Sequence, residues 1–488
     1  MAQSAPDLGG RRVARGDEIQ RGSEVSPGTA PPVPADWRIP VRHRSTRGEV
    51  ELFLDRSSAA PGERIGVRLS SDQAARLTLW RMGYEGGQGG RLVADLGVVA
   101  SVRQAPPTFE ATTGLVSCAH WSETFAFALE PSWPSGVYSV RADVRCGGEV
   151  EHLAADAILV VTPGRPHDVI VNLPTTTWVA YNAWGGRSLY DGGGFNGLPK
   201  AVAVSFDRPM KPTGSPIWEL LQGHPFYTWE YPLVYWLEQL GYDVGYVSNL
   251  EMARGGVPVT RVLVSAGHDE YWSTAMRDEL DRLLATGRSL LWAGANGMCW
   301  NIRLEGSSVG ADRELTCYKD HLGDPMMWSD PAQATGRWGE WPLYRSEAEV
   351  LGLRWVDWDF SLNRRPAAWI AGDTRHPVFE GTGLASGDRI EGVVGDEWDA
   401  LDPTVEVARS GVVLGSSEPL AGANLGESRG DTYLYRHNGG GLVMATGTTS
   451  WAWGLHAGTV TDRRTGEDAR LQRITANFLR AAIDGCEW

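Results

Sequence analysis

The chain has 488 residues, 42% apolar and 22% charged, and its 45 Lys plus Arg against 60 Asp plus Glu give a formal charge of −15. This length carries two or three domains with cores of their own and excludes a disulfide-stapled mini-protein. The composition excludes wholesale disorder, and the acidic balance argues against a nucleic-acid partner.

No apolar run reaches the ~18 residues of a membrane-spanning helix, so no membrane association is expected. The opening MAQSAPDLGGRRVARGDEIQRG lacks the ~7–15-residue apolar stretch of a secretory signal, which points to a cytoplasmic protein. Five cysteines, at 118, 146, 299, 317 and 486, include no C-x-x-C pair. Free thiols are expected, with Cys118 and Cys146 the one pair placed to join.

Residues 1–36 are rich in Gly, Pro, Ser and Arg and read as a flexible arm. Residues 37–163 hold short alternating runs between turns: EVELFLD, RIGVRLS, ARLTLWRM, ETFAFALE, GVYSVRADVRC and AILVVTP. Alternation at period two predicts an antiparallel β-sandwich, and the Pro-Gly turn of APGERIGVRLS suits an immunoglobulin-like module. Residues 164–488 change character, with continuous apolar strands (DVIVNLP, AVAVSF, YDVGYVS, RVLVSAG, SLLWAGAN) between helical stretches. That pattern predicts a three-layer α/β domain with a mostly parallel sheet. The clearest helix spans residues 273–285: Ser273 caps it, Met276, Leu280, Leu283 and Leu284 form one stripe, and Gly287 ends it. Strands GVVLGSS, DTYLYRH and GGLVMATG and a closing helix, RLQRITANFLRAAI, complete the domain.

Three dense loops follow apolar strands: PTTTWVAYNAWGGRSLYDGGG, SAGHDEYWS and WAGANGMCWNIR. Open α/β sheets bind ligands at such strand ends. The turn after RVLVSAG is where an amidotransferase-like domain would carry a nucleophile on a tight elbow. Here it reads His268, Asp269, Glu270, Tyr271, a set that favours a metal or an acid–base pair over an acyl-enzyme. The glycines at 185, 186 and 192–194 permit sharp turns near Tyr181 and Tyr190. Among 22 tryptophans, Trp178, Trp184, Trp229, Trp272, Trp292, Trp300 and Trp398 flank these loops.

The order PTTTWVAYNAW, SLYDGGG, WEYPLVYWLEQLGYDVGYVSN, SAGHDEYWS, WAGANGMCW and GDEWD resembles the N,N-dimethylformamidase large (beta) subunit family over about residues 165–460. That resemblance implies a sheet similar to class I glutamine amidotransferases without their cysteine. It also implies a mononuclear Fe(III) site, held by two tyrosinates and a glutamate, that hydrolyses an amide. Matched motif by motif, the metal ligands are Tyr181, Tyr190 and Glu270, and the catalytic groups lining the pocket are His268, Asn296 and Glu397. Two departures stand out: only nine residues separate Tyr181 from Tyr190, where the family has a longer insertion, and a β-sandwich precedes the α/β domain.

Hard oxygen donors suit Fe(III), whose charge three anionic ligands would neutralise. The expected function is hydrolysis of a non-peptide C–N bond in a small-molecule amide, with a homo-oligomer or a small accessory subunit as the protein partner. Two other readings stay open. One is a non-catalytic carbohydrate- or protein-binding module, and the other is a cysteine hydrolase using Cys299.

Overall fold

The computed structural model describes residues 31–488 except 101, 147–151, 191–198, 212–223, 360–365, 458–466 and 487. Residues 1–30 of the expected arm and the glycine run at 192–194 therefore lie outside the described residues.

Period-two alternation produces two β-sheets in the N-terminal part of the chain. Val50–Leu54, Arg64–Ser71 and Phe125–Ala128 make one sheet. Ser58–Ala59, Ala75–Met82, Gly90–Val99, Gly136–Arg145 and His152–Val161 make the other. Leu52, Val67 and Leu69 of the first share a buried cluster with Leu77, Val140 and Leu159 of the second. Gly90–Val99 was not foreseen, because Asp95 and Gly97 interrupt its alternation and its register against Ala75–Met82 shifts twice. All five cysteines are free.

This unit is tied to the rest of the chain by polar contacts. Arg81 Nη2 donates to Glu238 Oε1 (2.7 Å) and Ser58 Oγ to Glu251 Oε1 (2.6 Å). Trp184 Nε1 donates to Glu51 Oε1 (2.7 Å), and Arg313 Nη2 to the Leu54 carbonyl (2.8 Å).

A nine-stranded sheet organises the remainder. In chain order its strands are β1 (Val169–Leu173), β2 (Val244–Ser248), β3 (Val262–Gly267), β4 (Ser289–Gly294), β5 (Ala367–Ala371), β6 (Arg389–Val394), β7 (Gly411–Ser417), β8 (Asp431–Arg436) and β9 (Leu442–Ala445). The spatial order is β2-β1-β3-β4-β9-β8-β7-β5-β6. Strands β2 to β9 pair in parallel across the first four contacts, whereas β9-β8-β7-β5-β6 pair antiparallel across the next four. The expected mostly parallel sheet is thus half antiparallel. The link from β8 to β9 is too short for the crossover a parallel pair needs, so those strands fold back on each other. AVAVSF also departs from expectation: Ala203–Ser205 belongs to a separate four-stranded sheet, paired with Glu314–Thr316.

Four helices matter for the site: α1 (Thr175–Tyr181), α2 (Tyr231–Gln239), α3 (Thr274–Ala285) and α4 (Ala469–Asp484). Alternate residues of the parallel strands enter two different cores. Val171, Val264 and Leu291 pack with Leu233 of α2 and Phe478 of α4, while Ile170, Leu263 and Leu290 pack with Leu280 and Leu284 of α3. Both faces are therefore covered, and polar loops concentrate at the strand ends. Ser273 caps α3, its Oγ accepting from the Met276 amide.

Candidate active site

Strand β3 ends at Gly267, whose φ is +72°. A Cβ there would stand 2.5 Å from Trp229 Cβ and 2.9 Å from Glu230 Oε1, so the sharp turn into His268 requires glycine. Asp269 locks the turn. Its carboxylate accepts from Asn172 Nδ2 (2.8 Å), Asn249 Nδ2 (3.2 Å), Ser265 Oγ (2.7 Å) and Trp272 Nε1 (2.7 Å). Burial pushes this acid up to about 6, with those donors pulling the other way. The Met298 amide donates to the Asp269 carbonyl (2.9 Å) and the Trp300 amide to the Glu270 carbonyl (3.0 Å), fastening the loop after β4 to the loop after β3.

Glu270 faces α1, where Thr177 Oγ1 accepts from its amide (3.0 Å). The Tyr181 hydroxyl donates to Glu270 Oε2 at 2.9 Å. Tyr190 Oη stands 2.7 Å from Tyr181 Oη and 2.9 and 3.1 Å from the two Glu270 oxygens. The two phenol rings stack with centroids 4.3 Å apart. Three oxygen donors from two loops thus meet within hydrogen-bond distance of one another, as ligands sharing one small ion must. Without an ion, burial pushes both phenols well above the ordinary tyrosine value, and Glu270 adds to the effect. A bound cation is the natural agent for ionising them. Among the described residues no three of His, Cys, Asp and Glu form a metal-holding group; the oxygens that meet here are two phenols and one carboxylate, donors of the kind that suit a hard ion.

The sequence-derived acid–base residues gather at the same place. His268 Nε2 lies 3.5 Å from Glu270 Oε2 and 3.4 Å from Glu397 Oε1. Burial pulls the imidazole down, but Glu397 and Glu270 outweigh it and lift it to about 9. Burial raises the Glu397 carboxyl, against the pull of His268. Glu397 lies on an antiparallel ribbon, Leu353–Asp359 with Asp396–Leu401, and its amide donates to Thr449 Oγ1 (3.2 Å). Asn296 sits at φ +52°, and its amide donates to Asp399 Oδ1 (2.8 Å), so it is both a turn former and a member of the cluster. Among the described residues, His268 Nδ1 and Nε2, Asn296 Oδ1 and Glu397 Oε2 are buried without a hydrogen-bond partner. Such orphaned atoms call for water or a ligand between them.

All six residues singled out from the sequence therefore converge. Three others had escaped it. Trp300 Nε1 donates to Glu270 Oε1 (2.7 Å) and Tyr271 Oη to Tyr190 Oη (2.6 Å), roles that no motif assigned to either residue. Lys319 holds its ammonium 3.4 Å above the Tyr190 ring centroid, a placement with no local signal in TCYKDHL. Cys299, the alternative nucleophile, is 3% exposed, and burial pushes its thiol well above the ordinary value, opposite to the need of an attacking thiolate.

The profile of the family described as N,N-dimethylformamidase beta subunit-like, C-terminal, matches residues 76–465, and the chain belongs to that family. A characterised relative, the N,N-dimethylformamidase beta subunit of Paracoccus aminophilus, is 25% identical over 299 residues, covering 51% of this chain and 36% of the relative. The match thus spans about a third of that relative's length. No helix of the described residues is long and apolar enough to cross a membrane.

Proposed function

We propose that the chain is an iron-dependent amidohydrolase that cleaves an amide or formamide-like C–N bond outside peptides. The observation that carries this reading is the meeting of Tyr181 Oη, Tyr190 Oη and the Glu270 carboxylate within 2.7–3.1 Å of one another. Family membership and the name of the relative support the amide chemistry. Tyr181, Tyr190 and Glu270 would hold a hard trivalent ion such as Fe(III). When bound, that ion supplies Lewis acidity toward a carbonyl oxygen or water.

The chain's own groups complete the hydrolysis. Glu397 Oε2, buried without a donor, takes a proton from water as the water oxygen bonds to the carbonyl carbon. His268 Nε2, 3.4 Å from Glu397 Oε1, delivers a proton to the leaving nitrogen as the C–N bond breaks, giving a carboxylic acid and an amine. The side-chain amide of Asn296 would donate to the carbonyl oxygen as negative charge gathers there. Lys319, beside Tyr190 and Trp300, adds positive potential that favours ionised phenols. Metal analysis of protein purified without added metal tests the reading, together with a search for a visible tyrosinate-to-iron band. The expected result is one iron per chain with the band present; a colourless, iron-free protein that still hydrolyses amides would overturn it.

A further inference from the structure

A small cavity of about 60 Å³ lies between the N-terminal sheets and α1, lined by Leu54 from the one and Val179 from the other. Three guanidiniums line it as well, those of Arg56, Arg208 and Arg313, and no Asp or Glu among the described residues does. Two of the three cations are neutralised from outside the cavity: Arg313 lies 2.7 Å from Asp207 and Arg56 lies 3.0 Å from Glu63.

Arg208 has no such counter-charge. It is 3% exposed and forms no ion pair among the described residues. Its Nη2 donates to the Asn182 carbonyl (2.7 Å), and its Nη1 to the carbonyls of Trp184 and Arg187 (3.0 Å each). Burial lowers the guanidinium to about 10. Unused donors gather at the same place. Arg208 Nε, Arg313 Nη1 and Thr175 Oγ1 are each buried without a hydrogen-bond partner among the described residues, and all three side chains line the cavity. Water can accept from such donors, but it leaves the charge of Arg208 uncompensated in a low-dielectric setting. An anion answers both needs, through charge-assisted hydrogen bonds. Size narrows the class. At ~10–15 Å³ for each water the space takes a few waters or one small ion, and not a phosphate ester or an amino acid.

We infer that this cavity binds one small monovalent anion, a halide or a formate-sized carboxylate, held by Arg208 and Arg313 with the Thr175 hydroxyl completing its shell. Arg208 also grips residues 182–187, the stretch that joins Tyr181 to Tyr190, while Arg313 Nη2 grips the Leu54 carbonyl (2.8 Å). The anion therefore ties the N-terminal sheets to the segment that spaces the two phenols.

The test follows thermal melting of the full chain at constant ionic strength while chloride, bromide or formate replaces gluconate, which is too bulky for the cavity. Because a ligand of the folded state stabilises it by mass action, a saturable rise in melting temperature is expected. The rise should vanish in Arg208→Gln and saturate at a several-fold higher anion concentration in Thr175→Val, which keeps the side-chain shape and deletes one hydroxyl. Crystals grown in bromide should then show an anomalous peak in this cavity. A response to chloride without formate identifies a halide site, and the reverse a carboxylate site. A melting temperature indifferent to all three anions, a rise unchanged in both variants, or bromide bound only elsewhere would defeat the proposal. If Arg208→Gln does not fold, Thr175→Val and the bromide crystals of the parent still decide it. None of these measurements uses turnover, so their failure is separate from that of the amidohydrolase reading.

Discussion

Trp300 Nε1 donates to Glu270 Oε1 at 2.7 Å, leaving Oε2 to the Tyr181 hydroxyl at 2.9 Å. The indole thus fixes which carboxylate oxygen turns toward the phenols. Trp300→Phe keeps the ring and removes that donor. Because partners that orient a ligand typically contribute ~10–100-fold to metal affinity, we expect iron affinity to fall by about tenfold, read by titration against a chelator. An unchanged affinity would show that the indole merely packs there.

Tyr190→Phe removes one hydroxyl and no volume. Iron should be absent from the purified variant and the visible band lost, while the far-ultraviolet circular dichroism stays that of the parent. Retention of a full iron complement would remove Tyr190 from the ligand set.

Lys319 tests the electrostatic part of the design. Lys319→Met keeps the side-chain length and deletes the charge 3.4 Å from the Tyr190 ring. The expected outcome is a shifted charge-transfer band and weaker iron binding, with Lys319→Arg restoring most of both. A band that does not move in the Met variant would count against any influence on the phenols.

Asp269 receives four buried donors, from Asn172, Asn249, Ser265 and Trp272. Asp269→Ala leaves all four unsatisfied, so a stability loss of about 3 kcal/mol is expected from equilibrium denaturation, with Asp269→Asn losing less. Because the turn carries Glu270, iron content should fall in parallel.

His224 gives a pH dependence whose sign is fixed. Burial lowers its imidazole from 6.5 to about 4, while its Nδ1 accepts from the Phe226 amide. The unfolded chain takes up the proton first, so this group lowers stability as pH falls from 6.5 toward 4, by about 3 kcal/mol over that range. His224→Asn keeps a capping acceptor and removes the titration. The difference in unfolding free energy between parent and variant should therefore change across pH 4–6.5 and stay constant above it. A constant difference throughout would mean that His224 is not held neutral.

The turn carrying His268 and Glu270 was legible because it follows an apolar strand, whereas Tyr181, Tyr190, Asn296 and Glu397 were singled out by the order of motifs that resembles the dimethylformamidase family. Lys319 was not legible, for a physical reason. The antiparallel pair ends at Arg303 and Thr316, and Lys319, three residues beyond it, reaches Tyr190 and Trp300 from there; pairing between distant strands leaves no local trace in the sequence. The same cause hid the antiparallel half of the sheet. Of its strands, GVVLGSS (β7), DTYLYRH (β8) and GGLVMATG (β9) read as strands without a direction, while β5 and β6 were not read as strands at all, and direction is decided by connections rather than by composition. The hydrogen bond from Tyr271 to Tyr190 was not legible, because an aromatic beside an acidic residue looks the same whether it fills space or donates a hydrogen bond.

The family match begins at residue 76, one position inside the strand Ala75–Met82, so that boundary cuts through a domain rather than between domains. A truncation made there would discard Val50–Leu54 and Arg64–Ser71, strip the cover from Leu77, Val140 and Leu159, and take away Ser58 from Glu251 and the Leu54 carbonyl from Arg313. Such a fragment should emerge from expression as aggregate. The workable starting point for any shortened version lies ahead of Trp37, whose buried indole packs against Tyr227 and Tyr231.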